Sequence, residues 1–213
     1  MSHWNRTRRT ILFIVLTGGS PVREAAAYSS GPPPDAAGNP PTYFDCTFCH
    51  STYPLNSGSG TLSLLGLPAG YLPGGTSEIT VLLAHPYDPG NPSVATRWGF
   101  ELTALDAAGM KAGTISLPPD QTGVTQIQTA NGREFVMHKE AGTYPGTTGS
   151  AQWRFLWTAP NESAGTVLFY VAGNAANNNG MNTGDYVYTV VRAIEAPVAV
   201  ESPTWGRLKS RYR

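Results

Sequence analysis

The strongest constraint on how this chain can fold is a succession of short runs, spread from residue 61 to residue 194, in which apolar side chains recur at every second position. RWGFELTAL at 97–105 sets Trp98, Phe100, Leu102 and Ala104 on one face, and AQWRFLWTAP at 151–160 sets Trp153, Phe155 and Trp157 against Arg154, Leu156 and Thr158. Similar runs lie at 61–64, 78–85, 113–117, 125–129, 133–138, 165–173 and 185–194, with clusters of Gly, Pro, Asn and Asp between them. A period of two belongs to a strand with one buried face, whereas a helix repeats its apolar positions three and four residues apart. No stretch beyond residue 27 has convincing helical spacing. The pattern predicts an all-β domain over 61–196, with two sheets packed as a β-sandwich. In such a sandwich the row Trp153, Phe155, Trp157 faces the core rather than forming a carbohydrate platform.

The segment before it, 28–60, is rich in Pro, Gly and Ser and is expected to be irregular. It holds both cysteines of the chain, in FDCTFCHSTY at 44–53. The C-x-x-C-H spacing lets two thiols form thioethers with the vinyl groups of one haem while the following imidazole reaches the iron. Cys46 and Cys49 are therefore the expected covalent anchors of a single haem c, and His50 its proximal ligand. A thioredoxin-like redox pair shares the C-x-x-C spacing but opens a helix within an α/β pattern, which is absent from this sequence. Zinc would need His85 and His138 to complete four ligands. A disulfide between cysteines this close in sequence closes a strained ring. Because a short irregular segment cannot bury a macrocycle alone, the haem is expected to lean on the domain that follows.

Haem attachment of this kind takes place outside the cytoplasm, and the N-terminus fits that demand. Arg6, Arg8 and Arg9 precede the apolar ILFIVL at 11–16, and Ala25-Ala26-Ala27 offers a cleavage site, so 1–27 reads as a secretory signal peptide. The mature protein is expected in the periplasm or outside the cell. Charge is sparse and balanced, 14 basic against 14 acidic residues, which argues against nucleic acid as a partner. The tail at 197–213 carries Arg207, Lys209, Arg211 and Arg213 with Trp205 and Tyr212 interleaved. It reads either as a surface or membrane attachment segment or as a solvated tail.

WGFELTALDAAG at 98–109, WRFLWTAP at 153–160, GTVLFYVAGNAANNNG at 165–180 and GDYVYT at 184–189 resemble the choice-of-anchor V domain, a bacterial extracytoplasmic domain related to the Reeler family. The resemblance covers about residues 35–195. It implies an immunoglobulin-like sandwich, and members often carry C-x-x-C-H near the start. It names no biochemical activity.

A sixth iron ligand would separate electron transfer from chemistry at an open site. His85, His138, Met110, Met137 and Met181 have the right donor atoms. Met137 and His138 are neighbours on a strand and point to opposite faces. Met137 shares its face with Phe135, which reads as core, whereas His138 sits where the strand ends. The family resemblance also implies a histidine at this place, so His138 is the preferred ligand, with Met137, Met181 and an open site as alternatives. His85 precedes Pro86 and reads as a turn residue. The loop NAANNNGMNTGD has one carboxylate, Asp185, too little charge for calcium, and reads as a turn that brushes the haem edge. No Ser/His/Asp order or carboxylate pair supports an enzyme. The expected function is one-electron transfer to or from a redox partner protein; a surface structural or adhesion module in which haem is subordinate is the alternative from another class.

Overall fold

The computed structural model describes residues 28–88, 90–91 and 94–196. The expected leader at 1–27 and the basic tail at 197–213 lie outside the described residues. Among the described residues nine strands follow the alternating runs closely: β1 (Thr61–Leu65), β2 (Thr76–Ala84), β3 (Arg97–Asp106), β4 (Thr114–Ser116), β5 (Thr125–Ala130), β6 (Arg133–His138), β7 (Ser150–Thr158), β8 (Val167–Ala176) and β9 (Tyr186–Ile194). They form a four-stranded sheet in the order β1-β2-β7-β4 and a five-stranded sheet in the order β5-β6-β3-β8-β9. The ladders between these strands are antiparallel. The chain is an all-β sandwich, as the sequence predicts.

Local chemistry sets the register. β5 and β6 are joined by Asn131 and Gly132 alone, with φ of +52° and +73°. Positive φ at both central positions is the turn whose twist matches a two-residue hairpin, and Asn-Gly is the pair that adopts it at least cost. Between the sheets lie Trp98, Phe100, Leu102 and Ala104 of β3, Ile79, Val81 and Leu83 of β2, Trp153, Phe155 and Trp157 of β7, and Val167, Phe169 and Val171 of β8. The β7 aromatic row is fully buried, as the alternation requires.

The outer face of the five-stranded sheet is not left to solvent. Residues 28–60, which contain only the short 3-10 turn Cys46–Phe48, run across it as a strap. Asp35 and Ala36 donate their backbone N–H groups to Glu101 on β3, at 2.9 and 3.0 Å. Gln126 Nε2 on β5 donates to the Ser30 carbonyl, and Arg133 on β6 donates to the Pro40 carbonyl at 2.7 Å. Gly31, at φ +118°, passes so near β6 that a Cβ there would lie 3.1 Å from Met137 Sδ.

The strap corrects one expectation. Val136, not the Phe135 and Met137 pair, belongs to the core between the sheets. Phe135 and Met137 are also fully buried, but against the strap on the opposite face. Covering both faces of β6 removes the contrast between an inward and an outward side on which the sequence reading relied. Among the described residues no helix is long and apolar enough to cross a membrane.

Candidate functional site

Where the strap crosses the end of the five-stranded sheet it leaves a partly open cavity of about 420 Å³, lined by Cys46, Cys49, His50 and His138 together. Residues 88 positions apart in the chain thus face one space, because the strap's 3-10 turn, packed on β8, and the end of β6 line the same opening. The walls are largely apolar and aromatic, with Tyr28, Phe44, Phe48 and Phe100 among them, and Arg97 supplies a cation. Such a volume lies within the usual range for ligand pockets, about 300–1,000 Å³.

The turn that carries the cysteines is built locally. Asp45 caps it: its Oδ1 accepts from Thr47 N at 2.7 Å and from the Thr47 hydroxyl at 2.6 Å. The N–H groups of Cys49 and His50 return to the Cys46 carbonyl. From the other side, the asparagine-rich loop between β8 and β9 clamps the turn to the sandwich. Asn182 Nδ2 donates to the Cys49 carbonyl at 2.8 Å, and Gly184 N donates to Thr52 Oγ1 at 2.9 Å. Both thiols are free. Burial, reinforced by the nearby Glu101 carboxyl, pushes the Cys46 thiol well above its ordinary range and keeps it protonated.

Each histidine has one ring nitrogen engaged by a fixed partner. His50 Nδ1 lies 2.6 Å from Asp185 Oδ2, and the other carboxylate oxygen accepts from Asn177 N at 2.9 Å. A carboxylate at Nδ1 fixes the tautomer with its proton there and leaves the Nε2 lone pair for a metal, an arrangement usual behind metal-bound histidines. His138 Nδ1 lies 3.0 Å from Phe100 N and 3.2 Å from Phe100 O. The ring therefore takes over the backbone groups of Phe100 where the β3–β6 ladder stops after Glu101 and Met137. Donation from Nδ1 to the Phe100 carbonyl frees Nε2; acceptance from Phe100 N–H protonates it. Gly99 makes room for the ring: a Cβ there would stand 2.8 Å from His138 Cε1. Burial drives the His138 pKa down, so the imidazole is neutral at physiological pH, the form that binds metals.

The other residues singled out in the sequence separate cleanly. Met181 lines the cavity, at the tip of the asparagine-rich loop, whereas Met137 lies under the strap and Met110 is exposed in the β3–β4 connection. His85, just after β2, is buried and stacks on Tyr186 at 4.9 Å, which in turn stacks on Tyr53 at 4.3 Å. Among the described residues no three His, Cys, Asp or Glu side chains come together to hold a metal ion. A porphyrin brings four nitrogens of its own and asks only for one axial donor on each side. The donor set fits a haem better than a bare cation.

Gly99, Glu101, Arg97, Asn174 and Asp185 are the site residues that the sequence reading passed over or weighed for other roles. Asn174 Oδ1 and Glu101 Oε2 are buried without a hydrogen-bond partner. Burial raises the Glu101 carboxyl to about 8. A carboxyl whose folded pKa exceeds its unfolded value binds its proton more tightly in the native state, so its stabilising effect is complete below about pH 4.5 and is lost as pH rises to about 8. Denaturant unfolding is expected to show stability falling across that window by up to about 5 kcal/mol. Glu101→Gln should flatten the decline; an unchanged decline in the variant would assign it to other groups.

No family model matches the chain, and no curated protein matches it. Among solved structures it is similar to the Reelin-N domain of F-spondin, at 18% identity over 71% of this chain and 97% of that one, with a TM-score of 0.44. It is also similar to the sixth cohesin of scaffoldin B from Acetivibrio cellulolyticus, at 13% identity over 66% and 100% of the two chains, with a TM-score of 0.40. A third is AvmM, which catalyzes macrocyclization in alchivemycin A biosynthesis, at 12% identity over 70% and 93%, with a TM-score of 0.42. At these identities the likeness is one of fold.

Proposed function

We propose that this protein is an extracytoplasmic monohaem c-type cytochrome that transfers single electrons. The observation that carries the reading is the convergence of Cys46, Cys49, His50 and His138 on one cavity. The C-x-x-C-H motif alone supplies anchors and a proximal ligand; the cavity adds a second imidazole. Cys46 and Cys49 would hold the haem through thioethers, and His50 and His138 would supply nitrogen donors to its iron. Bound there, the haem would supply a one-electron couple and no substrate-binding position.

The chain's own residues have definite parts in this reading. Asp185 holds the Nδ1 proton of His50 and strengthens Nε2 as a donor. Gly99 and the Phe100 backbone fix the plane of His138. Arg97, steadied by Thr143 Oγ1 at 3.1 Å and Asn178 Oδ1 at 3.4 Å, offers positive charge to a propionate. The exposed rings of Phe44 and Phe48, with centroids 5.1 Å apart, line the same cavity as the motif turn. The partner would be another redox protein in the periplasm or outside the cell, and the basic tail an optional tether to a surface.

A cell-surface structural or adhesion module is the second reading. It is favoured by the self-sufficiency of the sandwich, whose core includes none of the four converging residues. The two readings part on one experiment. Protein exported in a host with haem-attachment machinery is expected to stain for haem on a denaturing gel, and Cys46→Ala with Cys49→Ala is expected to lose all of that stain. A wild-type protein that does not stain sinks the cytochrome reading and leaves the surface module.

A further inference from the structure

The face that carries the cavity also holds a buried acid with no part in haem ligation. Glu101 lies mid-strand in β3 and is fully buried beneath the strap. Its Oε1 accepts the Asp35 and Ala36 N–H groups, while Oε2 has no partner. An ionised carboxylate with one bare oxygen in a dry interior is poorly compensated. The groups around it do little to hold that charge. On the strap side stands Asp35, itself acidic, whose partner Arg133 at 3.5 Å is shared with the Pro40 carbonyl. From β6 the register neighbour is Met137 and from β8 it is Ala172, neither of which titrates. From the motif turn comes Cys46, close enough for the carboxylate to act on its thiol. Once Cys46 is a thioether it no longer titrates, and Glu101 is left as the acid beside the haem's point of attachment.

Resting on the haem reading, we propose that Glu101 is the redox-linked proton site of this protein, taking up one proton when a one-electron donor protein reduces the haem and releasing it on reoxidation. The balance is simple. The electron delivered by the donor protein would be matched by one proton from the solvent's acid pool, which forms an O–H bond on the Glu101 carboxylate. The buried region then gains no net charge, and that neutrality is the driving force, because an added electron and an added proton attract strongly where water is excluded. The acid starts from the right place: in the chain without haem, burial with one unpartnered oxygen has already raised it to about 8.

Potentiometric titration of the matured holoprotein between about pH 6 and pH 10 tests this. The wild-type midpoint potential is expected to fall as pH rises through the region around 8, whereas the Glu101→Gln protein should keep a flat potential there. Equal pH dependence in the two proteins, or none in the wild type, overturns the assignment. An infrared difference spectrum of the wild type needs no variant. Reduction should add a protonated-carboxyl carbonyl band that moves in deuterium oxide, and its absence also overturns the assignment. Haem staining run first keeps the failures apart. Without covalent haem the cytochrome reading falls and the proton site with it; with haem present and a flat potential, only the role of Glu101 falls.

Discussion

His138→Ala is expected to turn a six-coordinate, low-spin haem protein into a high-spin one that binds carbon monoxide, while the haem stays attached through Cys46 and Cys49. The size of the effect follows from how the ring is held. It lies against Gly99, shares Nδ1 with the Phe100 backbone, and is kept neutral by burial. Alanine removes the only imidazole besides His50 among the residues lining the cavity, and it opens the space that the ring fills. The truncation also strands the Phe100 N–H and carbonyl at the end of the β3–β6 ladder, at a cost of about 1–3 kcal/mol in the apoprotein. His138→Met should keep six-coordination where the longer side chain reaches the iron, and should raise the potential. An unchanged low-spin spectrum in His138→Ala moves the sixth ligand to Met181, which lines the same cavity. Strong carbon monoxide binding by the unaltered protein points to an open iron.

Trp157→Ala should have the largest effect on the sandwich itself, with a loss of about 3–5 kcal/mol in stability. Trp157 is fully buried on β7 and meets Tyr71 and Phe169 edge-on, with ring centroids 5.7 and 5.1 Å away. Its Nε1–H donates to the Ala112 carbonyl at 2.9 Å, so truncation leaves a cavity and an unpaired acceptor together. Gly113 shows how closely the chain fits there: a Cβ on it would stand 2.6 Å from the same nitrogen. Against the 5–15 kcal/mol typical of a domain, such a loss brings the variant near its unfolding threshold. The denaturation midpoint measures it, and a change below about 1 kcal/mol would contradict this account of the core. Cys46→Ala with Cys49→Ala should leave the midpoint of the apoprotein nearly untouched, because neither residue belongs to the core.

The strands were legible because each run alternates apolar and polar residues between two sheets, a signal that survives without any tertiary information. AQWRFLWT and RWGFELTAL became β7 and β3 with Trp153, Phe155, Trp157 and Trp98, Phe100, Leu102 inward, as their spacing requires. The strap was not legible in that way. Its Pro/Gly-rich sequence has no period, so nothing in it announced that it would cover the outer face of β3 and β6. Hence Gly99 and Glu101 drew no attention between the inward aromatics, and Phe135 with Met137 looked like sandwich core. A charged residue inside a run as apolar as WGFELTAL was the available clue. His85 does not line the cavity, but its stacking on Tyr186 is invisible in sequence. Asp185 was weighed for calcium alone, because its partner His50 lies 135 residues away.

The most direct measurement of the central claim is the mass of the natively exported protein under denaturing conditions, followed by that of its proteolytic peptides. The account predicts a chain heavier by one haem, with the whole excess on the peptide that spans FDCTFCHSTY, residues 44–53. A mass equal to that of the bare chain, with Cys46 and Cys49 unmodified, would contradict it.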